Sequence, residues 1–415
     1  MNLAELETAY QQFIDKNLSL NIERGQPSNE NFDLSLPMLT AVDETSFITD
    51  NGIDVRNYPG GVLGIAEARE IFCQQIGVGP DEIILGNNSS LELMSRIFTW
   101  ALLKGVNGSQ KGWAGDNPKM LVTVPGYDRH FTLVKTLGFE LISVPMTESG
   151  PDMEAVEQLA GNDASVKGLF FVPTYSNPTG DVISDTCAQK LVSFKAAAAD
   201  FTVFADDAYA VHHLQDSPPP VPRLLELAKQ HGNANRVIIF GSTSKVTFAS
   251  AGIGFAGMSE DNIAFWSKIL FTQSIGPNKI EQWRHVRFLR QYPGGLAGLM
   301  NDHAKILRPK FDAVQTILNR ELGNRDLATW TDPKGGYFVH LRTNEPVASR
   351  VIELAANAGL TLTKLGATFP DGKDTENRTI RIAPTRPALE EVEEAMALLA
   401  CCIEMATLEY RQQNN

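Results

Sequence analysis

Short hydrophobic runs alternate with segments of helical periodicity through the first three hundred residues. Six runs are rich in β-branched or aromatic residues and are typical of strands: DEIILG (81–86), KMLVTVP (119–125), FELISVP (139–145), GLFFVP (168–173), FTVFADD (201–207) and RVIIFG (236–241). Between them lie helical patterns such as SSLELMSRIFTWALLKG, RHFTLVKTLG, MEAVEQLAG and DTCAQKLVSFKAAAAD. Continuous apolar strands separated by helices are what a mostly parallel sheet covered on both faces requires, so the pattern predicts an α/β protein.

The pattern changes after about residue 300. A long helix, the strand GYFVHL, another helix, the strand TIRIAP and a final amphipathic helix from about Ala388 follow in order. We expect three parts: a large domain over 48–300, a smaller α/β domain over 301–415, and an N-terminal segment over 1–47 that packs with the smaller domain. The length of 415 residues agrees with more than one domain.

Charge and composition exclude several classes of protein. The net charge of −13 has the wrong sign for a protein that binds along nucleic acid. No stretch approaches the ~18 apolar residues of a membrane span. The N-terminus, MNLAELETAYQQFIDK, carries acids early and resembles neither a secretory signal nor a transit peptide, so we expect a cytoplasmic protein.

Neither cysteines nor histidines indicate a metal site. The cysteines are scattered or adjacent, without paired CxxC spacing, and are expected to be buried thiols: Cys73, Cys187, Cys401 and Cys402. His212 and His213 are neighbours that point in different directions on any regular element, which favours packing over a shared metal.

Polar residues follow the predicted strands. Ligands of open α/β sheets bind beyond the carboxyl ends of strands, and the segments there are GNNSS, PGY, PTYSNPTG, DDAY and GSTSK. Lys245, in the last of these, is either a surface residue with a buried stem or a desolvated, nucleophilic amine. The sequence GIGFAG (252–257) matches a dinucleotide fingerprint, but no clean strand precedes it, so closely packed glycine backbone is the better interpretation.

Together these segments resemble the fold type I pyridoxal-phosphate aminotransferases, in the family's order and over nearly the whole chain. The similar motifs are YPGGVLGIAEAR (58–69), GNNSS (86–90), PGY (125–127), SNPTG (176–180), DDAY (206–209), STSK (242–245), KGGYF (334–338) and TIRIAP (379–384). The resemblance implies the family's fold: a large domain with a mostly parallel seven-stranded sheet plus a smaller C-terminal α/β domain. It also implies pyridoxal 5'-phosphate as cofactor.

The resemblance assigns the catalytic roles. Lys245 would hold the cofactor as a Schiff base and later move the proton from the substrate Cα. Asp206 would lie against the pyridine nitrogen and favour the protonated ring. A purely structural alternative for Asp206 is a helix N-cap. Tyr209 and Asn177 would donate to the phenolic oxygen, and Tyr127 would stack on the ring.

The phosphate is expected at a helix N-terminus. The resemblance places Asn87, Asn88 and Ser89 there, with the hydroxyls of Ser242 and Ser244, and brings Tyr58 from the neighbouring subunit of a homodimer with shared active sites. One departure is clear. The family commonly has an arginine about eight residues after the lysine, whereas SAGIGFAG contains no basic residue. The chain is therefore similar to a divergent, aspartate-aminotransferase-like subgroup.

Substrate recognition is expected from arginine. Arg381 matches the family arginine that binds the α-carboxylate, and Arg386 is an alternative. Gly25 lies in NIERGQPS (21–28), which resembles the segment that closes over the substrate. Lys279 and Arg24 are candidates for a second carboxylate, and either is equally compatible with a solvated surface charge.

The resulting prediction is a homodimeric aminotransferase that works by ping-pong exchange, with L-aspartate and 2-oxoglutarate as first choice of substrates. Another donor, such as 2-aminoadipate or an aromatic amino acid, and a β-lyase of the same fold are the alternatives. A cofactor-binding transcription regulator is disfavoured, because the chain has no room or basic segment for a DNA-binding module.

Overall fold

The computed structural model describes residues 3–58 and 60–414. The helices of this part are α1 Leu3–Asp15, α2 Asn29–Asp33, α3 Ala66–Gln75, α4 Ser90–Lys104, α5 Asp128–Thr136, α6 Met153–Ala160, α7 Asp185–Ser193, α8 Leu224–Gln230, α9 Glu260–Phe271, α10 Lys279–Gln291, α11 Gly295–Leu322, α12 Ala348–Asn357 and α13 Leu389–Asn414. The strands are β1 Leu20–Asn21, β2 Ile83–Leu85, β3 Lys119–Val124, β4 Glu140–Thr147, β5 Gly150–Pro151, β6 Val166–Phe171, β7 Thr202–Asp206, β8 Val237–Ser242, β9 Gly254–Met258, β10 Ala328–Trp330, β11 Val339–Thr343, β12 Leu360–Thr361 and β13 Thr379–Ile382.

A large, mostly parallel sheet organises the first three hundred residues. Its strand order is β2-β9-β8-β7-β6-β3-β4-β5. All six strands expected from the sequence are present, and the pairs from β8 to β4 are parallel. The expected seven-stranded sheet is corrected to eight strands in the described chain, because the two-residue β5 turns back antiparallel on β4 at the edge. Hydrophobic clusters cover both faces of the sheet.

The glycine-rich segment after Lys245 forms β9, a strand that the sequence pattern does not indicate. β9 runs antiparallel to both β2 and β8. A Cβ on Gly254 would lie 2.5 Å from the backbone nitrogen of Ser90, and one on Gly257 would lie 2.7 Å from Ile76. These glycines let backbone pack closely, and the dinucleotide interpretation has no support, because an antiparallel strand does not open a βαβ unit.

The smaller unit is built on the sheet β10-β11-β13, which is antiparallel. Helices α11, α12 and α13 pack on it around a separate core. The boundary expected at residue 300 falls inside α11, where Met300 belongs to the large core and Leu307 to the small one.

The N-terminal segment contacts both units. Helix α1 packs on α13, and β1 pairs in parallel with β12 through Leu20 and Leu360. Residues 36–47 instead pack on α10 of the large unit, where the indole of Trp283 donates to the Ser46 carbonyl at 2.7 Å. The N-terminal chain therefore crosses from the small unit to the large one.

One expected helix is shorter than its pattern. The sequence favours helix from residue 185 to residue 200, yet α7 ends at Ser193 despite four consecutive alanines at 196–199. Arg236 donates to the carbonyls of Val192 and Phe194, and Asn233 also donates to that of Val192. These tertiary hydrogen bonds replace the next helical turn and override the intrinsic propensity of alanine.

Within residues 3–58 and 60–414, no helix combines the length and the apolar composition that a membrane crossing requires. The same ranges contain no group of three His, Cys, Asp or Glu side chains with the arrangement of a metal site.

Candidate active site

A cavity of about 390 Å³ opens at the carboxyl ends of the parallel strands, against the smaller unit. The large unit, the small unit and the N-terminal segment all contribute to its wall. Its lining includes Lys245, Tyr209, Tyr127, Arg381, Gly25 and Arg24, six of the residues expected from the sequence. The topology therefore brings together side chains that are far apart in the chain.

Lys245 follows β8 in a loop that many hydrogen bonds hold in place. The backbone carbonyl of Lys245 accepts from Nε2 of His212 at 3.3 Å and from the hydroxyl of Tyr337 at 3.4 Å. The next carbonyl, that of Val246, accepts from Nε2 of His303 at 3.0 Å. The backbone of the lysine is thus anchored on the sides away from the cavity, and its side chain extends from a fixed base.

The environment of the Lys245 amine favours the neutral form. Burial lowers the pKa of Lys245 below its usual value, while the negative charge of Asp206 partly opposes that shift. Its Nζ lies 5.0 Å from the ring centroid of Tyr209. In the described chain no carboxylate lies within salt-bridge distance of this Nζ. An amine with a lowered pKa is a better nucleophile and base near neutral pH.

Asp206 ends β7 and is buried. Its Oδ2 lies 2.8 Å from Nε2 of His130, the third residue of α5. The carboxylate oxygen is the acceptor of this hydrogen bond and Nε2 its donor. The His130 ring stacks on Phe170, with ring centroids 3.7 Å apart, and this contact fixes its plane. Oδ1 of Asp206 is buried and has no hydrogen-bond partner within residues 3–58 and 60–414.

The two tyrosines of the cavity remain protonated at neutral pH. Burial raises the pKa of Tyr209 well above its usual value and raises that of Tyr127 to about 12. Both hydroxyls are therefore available as hydrogen-bond donors. Tyr127 precedes α5 and contacts His130 edge to face, with ring centroids 5.0 Å apart.

Arg381, on β13, is the buried cation of the site, with 6% of its side chain exposed. One guanidinium nitrogen donates to Oδ1 of Asn177 at 3.2 Å, and Nε donates to the hydroxyl of Thr363 at 3.2 Å. The same guanidinium lies 3.7 Å from Asp128 and 4.9 Å from the ring centroid of Phe338. These contacts fix the plane of the guanidinium, as bidentate recognition of a carboxylate requires.

Asn177 lies in the SNPTG turn and has one free donor. Its Oδ1 accepts from Arg381, whereas its buried Nδ2 has no partner in the described ranges. Gly25 belongs to the N-terminal wall of the cavity, where a Cβ would lie 2.6 Å from the ring of Phe338. Only glycine lets the chain pass this close to the ring.

A polar cradle lies at the N-terminus of α4. The hydroxyls of Ser242 and Ser244 are 2.7 Å apart, and that of Ser244 lies 3.5 Å from the Asn88 carbonyl. Ser89 precedes α4 and makes no side-chain cap hydrogen bond. Asn87 accepts a hydrogen bond from the backbone of Asn278 at 3.2 Å. Hydroxyls, amides and the positive helix end thus meet at one place, which suits a phosphate.

Two expected residues lie outside the cavity of their own chain. Tyr58 is 71% exposed. Lys279 is 7% exposed, and its Nζ donates to the Tyr58 carbonyl at 3.2 Å. Burial lowers the pKa of Lys279. Lys279 is therefore buried beneath the segment that carries Tyr58, next to a surface with exposed apolar side chains.

The two remaining arginines differ in position. Arg24 lines the cavity with 62% of its side chain exposed, and its Nε lies 3.9 Å from Glu23. Arg386, the alternative to Arg381, is exposed and donates to Gln26 at 3.2 Å. Of Arg381 and Arg386, the two candidates for the α-carboxylate, only Arg381 lines this cavity.

Several site residues are absent from the sequence-based candidates. His130 is signalled by its place three residues after Tyr127, in the first turn of a helix that starts at a strand end. Thr363, Phe338, Arg129 and Lys364 carry no local signal, because only the packing of the small unit on the large one brings them to the cavity.

Comparison with known proteins agrees with this geometry. The family model described as aspartate amino-transferase matches residues 2–415. A Mycolicibacterium smegmatis protein, named an aminotransferase without a stated substrate, is 43% identical and covers 98% of this chain and 94% of its own. The aspartate aminotransferase of Corynebacterium glutamicum is 40% identical over 98% of this chain and 94% of its own.

Solved structures show the same fold. The crystal structure of an aspartate transaminase from C. glutamicum matches with a TM-score of 0.94 at 40% identity, over 98% of this chain and 96% of its own. The α-aminoadipate aminotransferase LysN of Thermus thermophilus matches with a TM-score of 0.75 at 20% identity, over 96% and 95% of the two chains, and shows the fold alone. From its full-length family match and these relatives, the chain belongs to the aspartate aminotransferase family.

Proposed function

We propose that this protein is a pyridoxal-phosphate-dependent aminotransferase that transfers the amino group of L-aspartate to 2-oxoglutarate, giving oxaloacetate and L-glutamate by ping-pong exchange. The observation that carries the proposal is the cavity that combines a lysine of lowered pKa, Lys245, with a buried arginine, Arg381. The name of the C. glutamicum relative supports aspartate as donor.

The residues present fit the cofactor. Two of the buried polar atoms that lack a partner among the described residues belong to the residues expected to hold the cofactor: Oδ1 of Asp206, an acceptor, and Nδ2 of Asn177, a donor. Unpaired buried polar atoms are costly and are expected to have a partner in the working protein. A ring that offers a protonated nitrogen and an oxygen satisfies both, because the first needs an acceptor and the second a donor.

Lys245 would hold the cofactor covalently through Nζ, and its lowered pKa favours that reaction. When bound, pyridoxal phosphate supplies a carbon that accepts the amino group and a ring that withdraws the electrons left at the substrate Cα. Once released, the Lys245 amine would take the proton from the substrate Cα and deliver it to the cofactor carbon, on the far side of the nitrogen. Its fixed backbone keeps the amine on one face of the reacting atoms.

Asp206 would keep a negative charge next to the ring nitrogen, and His130 would hold that carboxylate in place through Oδ2. Tyr209 and Asn177 would donate to the phenolic oxygen, and Tyr127 would pack on the ring face. Arg381 would bind the substrate α-carboxylate, with Asn177 and Thr363 setting its orientation.

The polar cradle would bind the phosphate. Ser242, Ser244 and Ser89 supply hydroxyls, and Asn87 and Asn88 begin the turn into α4. The first-turn backbone N–H groups of α4 add the partial positive charge of the helix end. Gly254 makes room for this turn, since any Cβ there would strike the backbone of Ser89 and Ser90.

A homodimer would complete the site. The exposed large apolar side chains include Leu36, Leu39, Ile48, Tyr58, Phe271, Ile275 and Ile280, which we call the dimer face. The segments that carry them are connected: residues 36–40 pack on α10, and a Cβ on Gly276 would lie 3.0 Å from the Gly61 carbonyl. Exposed apolar side chains on adjoining segments mark an interaction surface, and Tyr58 and Lys279 lie within it. Both residues would act on the partner's site.

The remaining assignments follow from this function. Two separate cores support a large cofactor-binding domain (48–300) and a small domain (301–415) that meet within α11, and the N-terminal segment (1–47) contributes residues to both cores. A cytoplasmic location is supported by four cysteines that all remain free thiols. The partners would be the amino acid and 2-oxo acid substrates, without nucleic acid or membrane.

The test is the visible spectrum of the purified protein with aspartate as the sole addition. We expect the yellow colour to bleach without an acceptor and to return with 2-oxoglutarate, with oxaloacetate and glutamate formed in equal amounts. Lys245→Ala should abolish turnover, and borohydride reduction should label position 245. Bleaching by another amino acid alone would replace the donor, and pyruvate release without acceptor would identify a lyase.

A further inference from the structure

The cavity carries a local excess of positive charge in an acidic protein. Besides Lys245, four cations line it, Arg24, Arg129, Lys364 and Arg381, against two acids, Glu23 and Asp128. The net charge of the whole chain is −13, so this excess runs against the global balance. Clefts with one sign of charge concentrate ligands of the opposite sign.

The six charges are not equally engaged. Arg381 is buried and lies 3.7 Å from Asp128. Arg24 has Glu23 at 3.9 Å. Each acid therefore faces one cation. Within the described part of the chain, the guanidinium of Arg129 and the ammonium of Lys364 have neither an ion pair nor a hydrogen bond, although both side chains face the cavity.

The neighbours of Arg129 fix its backbone, while its side chain is exposed and free to reach into the cavity. It lies in the first turn of α5, directly between Asp128, which faces Arg381, and His130, which is bonded to Asp206. The partial positive charge at the start of this nine-residue helix adds to that of the side chain.

Lys364 approaches from the smaller unit. It follows Thr363, whose hydroxyl accepts from Arg381, and a few residues later the Thr368 carbonyl accepts from the backbone of Gly126 at 2.9 Å. The segments that carry Lys364 and Arg129 are therefore joined directly, one from each unit.

We propose that Arg129 and Lys364 together bind the second carboxylate of the substrate, the one that distinguishes aspartate and glutamate from monocarboxylic amino acids. This rests on the proposed function, since it assigns the substrate's two carboxylates to different cations of one cavity. Arg381 takes the α-carboxylate. A ping-pong cycle must accept a four-carbon and a five-carbon dicarboxylate in turn, and two long, flexible side chains from opposite walls can meet a carboxylate at two distances.

This assignment differs from the sequence-based candidates. Lys279 does not line the cavity of its own chain, and Arg24 already faces Glu23. Arg129 and Lys364 are not recognisable from sequence, because neither follows a strand directly or belongs to a motif.

The experiment compares donors in the purified holoenzyme. The variants are Arg129→Gln, Lys364→Gln and the double variant, with Lys135→Gln on the exposed end of α5 as matched control. The rate of cofactor bleaching is measured with aspartate, glutamate and alanine. We expect kcat/KM for aspartate and glutamate to fall about 10- to 100-fold in Arg129→Gln, as for loss of a hydrogen bond to a charged group, and much less for alanine. The aspartate-to-alanine ratio should fall further in the double variant and stay unchanged in Lys135→Gln.

A second measurement does not depend on turnover. Succinate, a dicarboxylate without an amino group, should bind the wild type and shift its visible spectrum, and its Kd should rise about tenfold or more in Arg129→Gln. An unchanged aspartate-to-alanine ratio and an unchanged succinate Kd in correctly folded variants would overturn the inference. If the wild type transfers no amino group from any donor, the proposed function fails instead, and succinate binding then tests the cationic cavity separately.

Discussion

Nε2 of His130 donates to Oδ2 of Asp206 at 2.8 Å, deep in the large unit and on the side of α5 away from solvent. The hydrogen bond joins the start of α5 to the end of β7, and stacking on Phe170 keeps the imidazole in plane. This hydrogen bond fixes the orientation of the Asp206 carboxylate, and with it the direction in which the second, unpaired oxygen Oδ1 points. The charge that we propose to tune the cofactor therefore depends on His130, which does not line the cavity.

Replacing His130 should therefore impair catalysis more than substrate binding. His130→Phe keeps an aromatic ring beside Phe170 but removes the donor to Oδ2 of Asp206, so the carboxylate is no longer held in its orientation. We expect kcat for aspartate to fall about 10- to 100-fold, as for loss of a hydrogen bond to a charged group, with a smaller change in KM. The measurement is steady-state kinetics on both substrates.

His130→Gln is the matched variant, because its amide can donate to Asp206. It should recover part of the lost kcat. Equal activity in His130→Phe and the wild type would show that the carboxylate needs no such partner.

Acid should destabilise the fold before it protonates most carboxylates. Burial lowers the pKa of five histidines: His213, and four others whose pKa falls to about 3 (His212) or about 4 (His285, His303 and His340). Between the unfolded pKa of about 6.5 and those values, the unfolded chain binds more protons than the folded one, so stability is lost as pH falls through that window. Thermal unfolding should show Tm decreasing from pH 7 to pH 5.

Asp207 acts in the opposite direction, since burial raises its pKa to about 7 and its folded form takes up a proton first. Burial also raises the pKa of Asp181 and Glu281, and these three carboxyls against five histidines reduce the loss without reversing it. His340 lies outside the cavity, so His340→Gln is the useful variant. It should make Tm less dependent on pH, and an unchanged pH dependence would contradict the assignment.

Gly254→Ala should weaken cofactor binding. The added Cβ would lie 2.5 Å from the backbone of Ser89 and Ser90, so the first turn of α4 must shift. We expect the Kd for pyridoxal phosphate, measured by reconstituting the apoprotein, to rise at least about tenfold because several N–H groups are displaced at once. Gly115→Ala is the control, as nothing lies within 4 Å of its Cβ. Equal Kd values in the two variants would show that the polar cradle does not bind the phosphate.

The fold, and those site residues that belong to sequence motifs, can be predicted from the sequence for one physical reason. Strands buried on both faces must be continuously apolar, and the chain must turn polar where each strand ends, so Lys245, Asp206 and Tyr209 are visible as interruptions of a pattern. Strand β9 is missed because its glycines serve backbone contacts that exist only in the folded chain. The early end of α7 is missed because Arg236 and Asn233 act across more than forty residues.

Residues contributed by domain packing are missed for the same reason. Arg129 and Lys364 face one cavity because the segment around Thr368 touches Gly126, and no local spacing records that contact. His130 is intermediate: its distance from Tyr127 could have indicated it, but its partner Asp206 lies on another element.

The two active sites should be shared between subunits, and mixing variants can show it. Lys245→Ala removes the lysine from every site, and Tyr58→Ala/Lys279→Met removes the residues of the dimer face that we expect to serve the partner. Each variant alone should be nearly inactive. In a hybrid dimer, the site with an intact Lys245 would receive Tyr58 and Lys279 from the Lys245→Ala subunit and would be complete. Unfolding and refolding an equal mixture gives half hybrids with one working site each, so about a quarter of wild-type activity should return. Residues that serve their own chain would leave no complete site in any dimer, and the mixture would stay inactive.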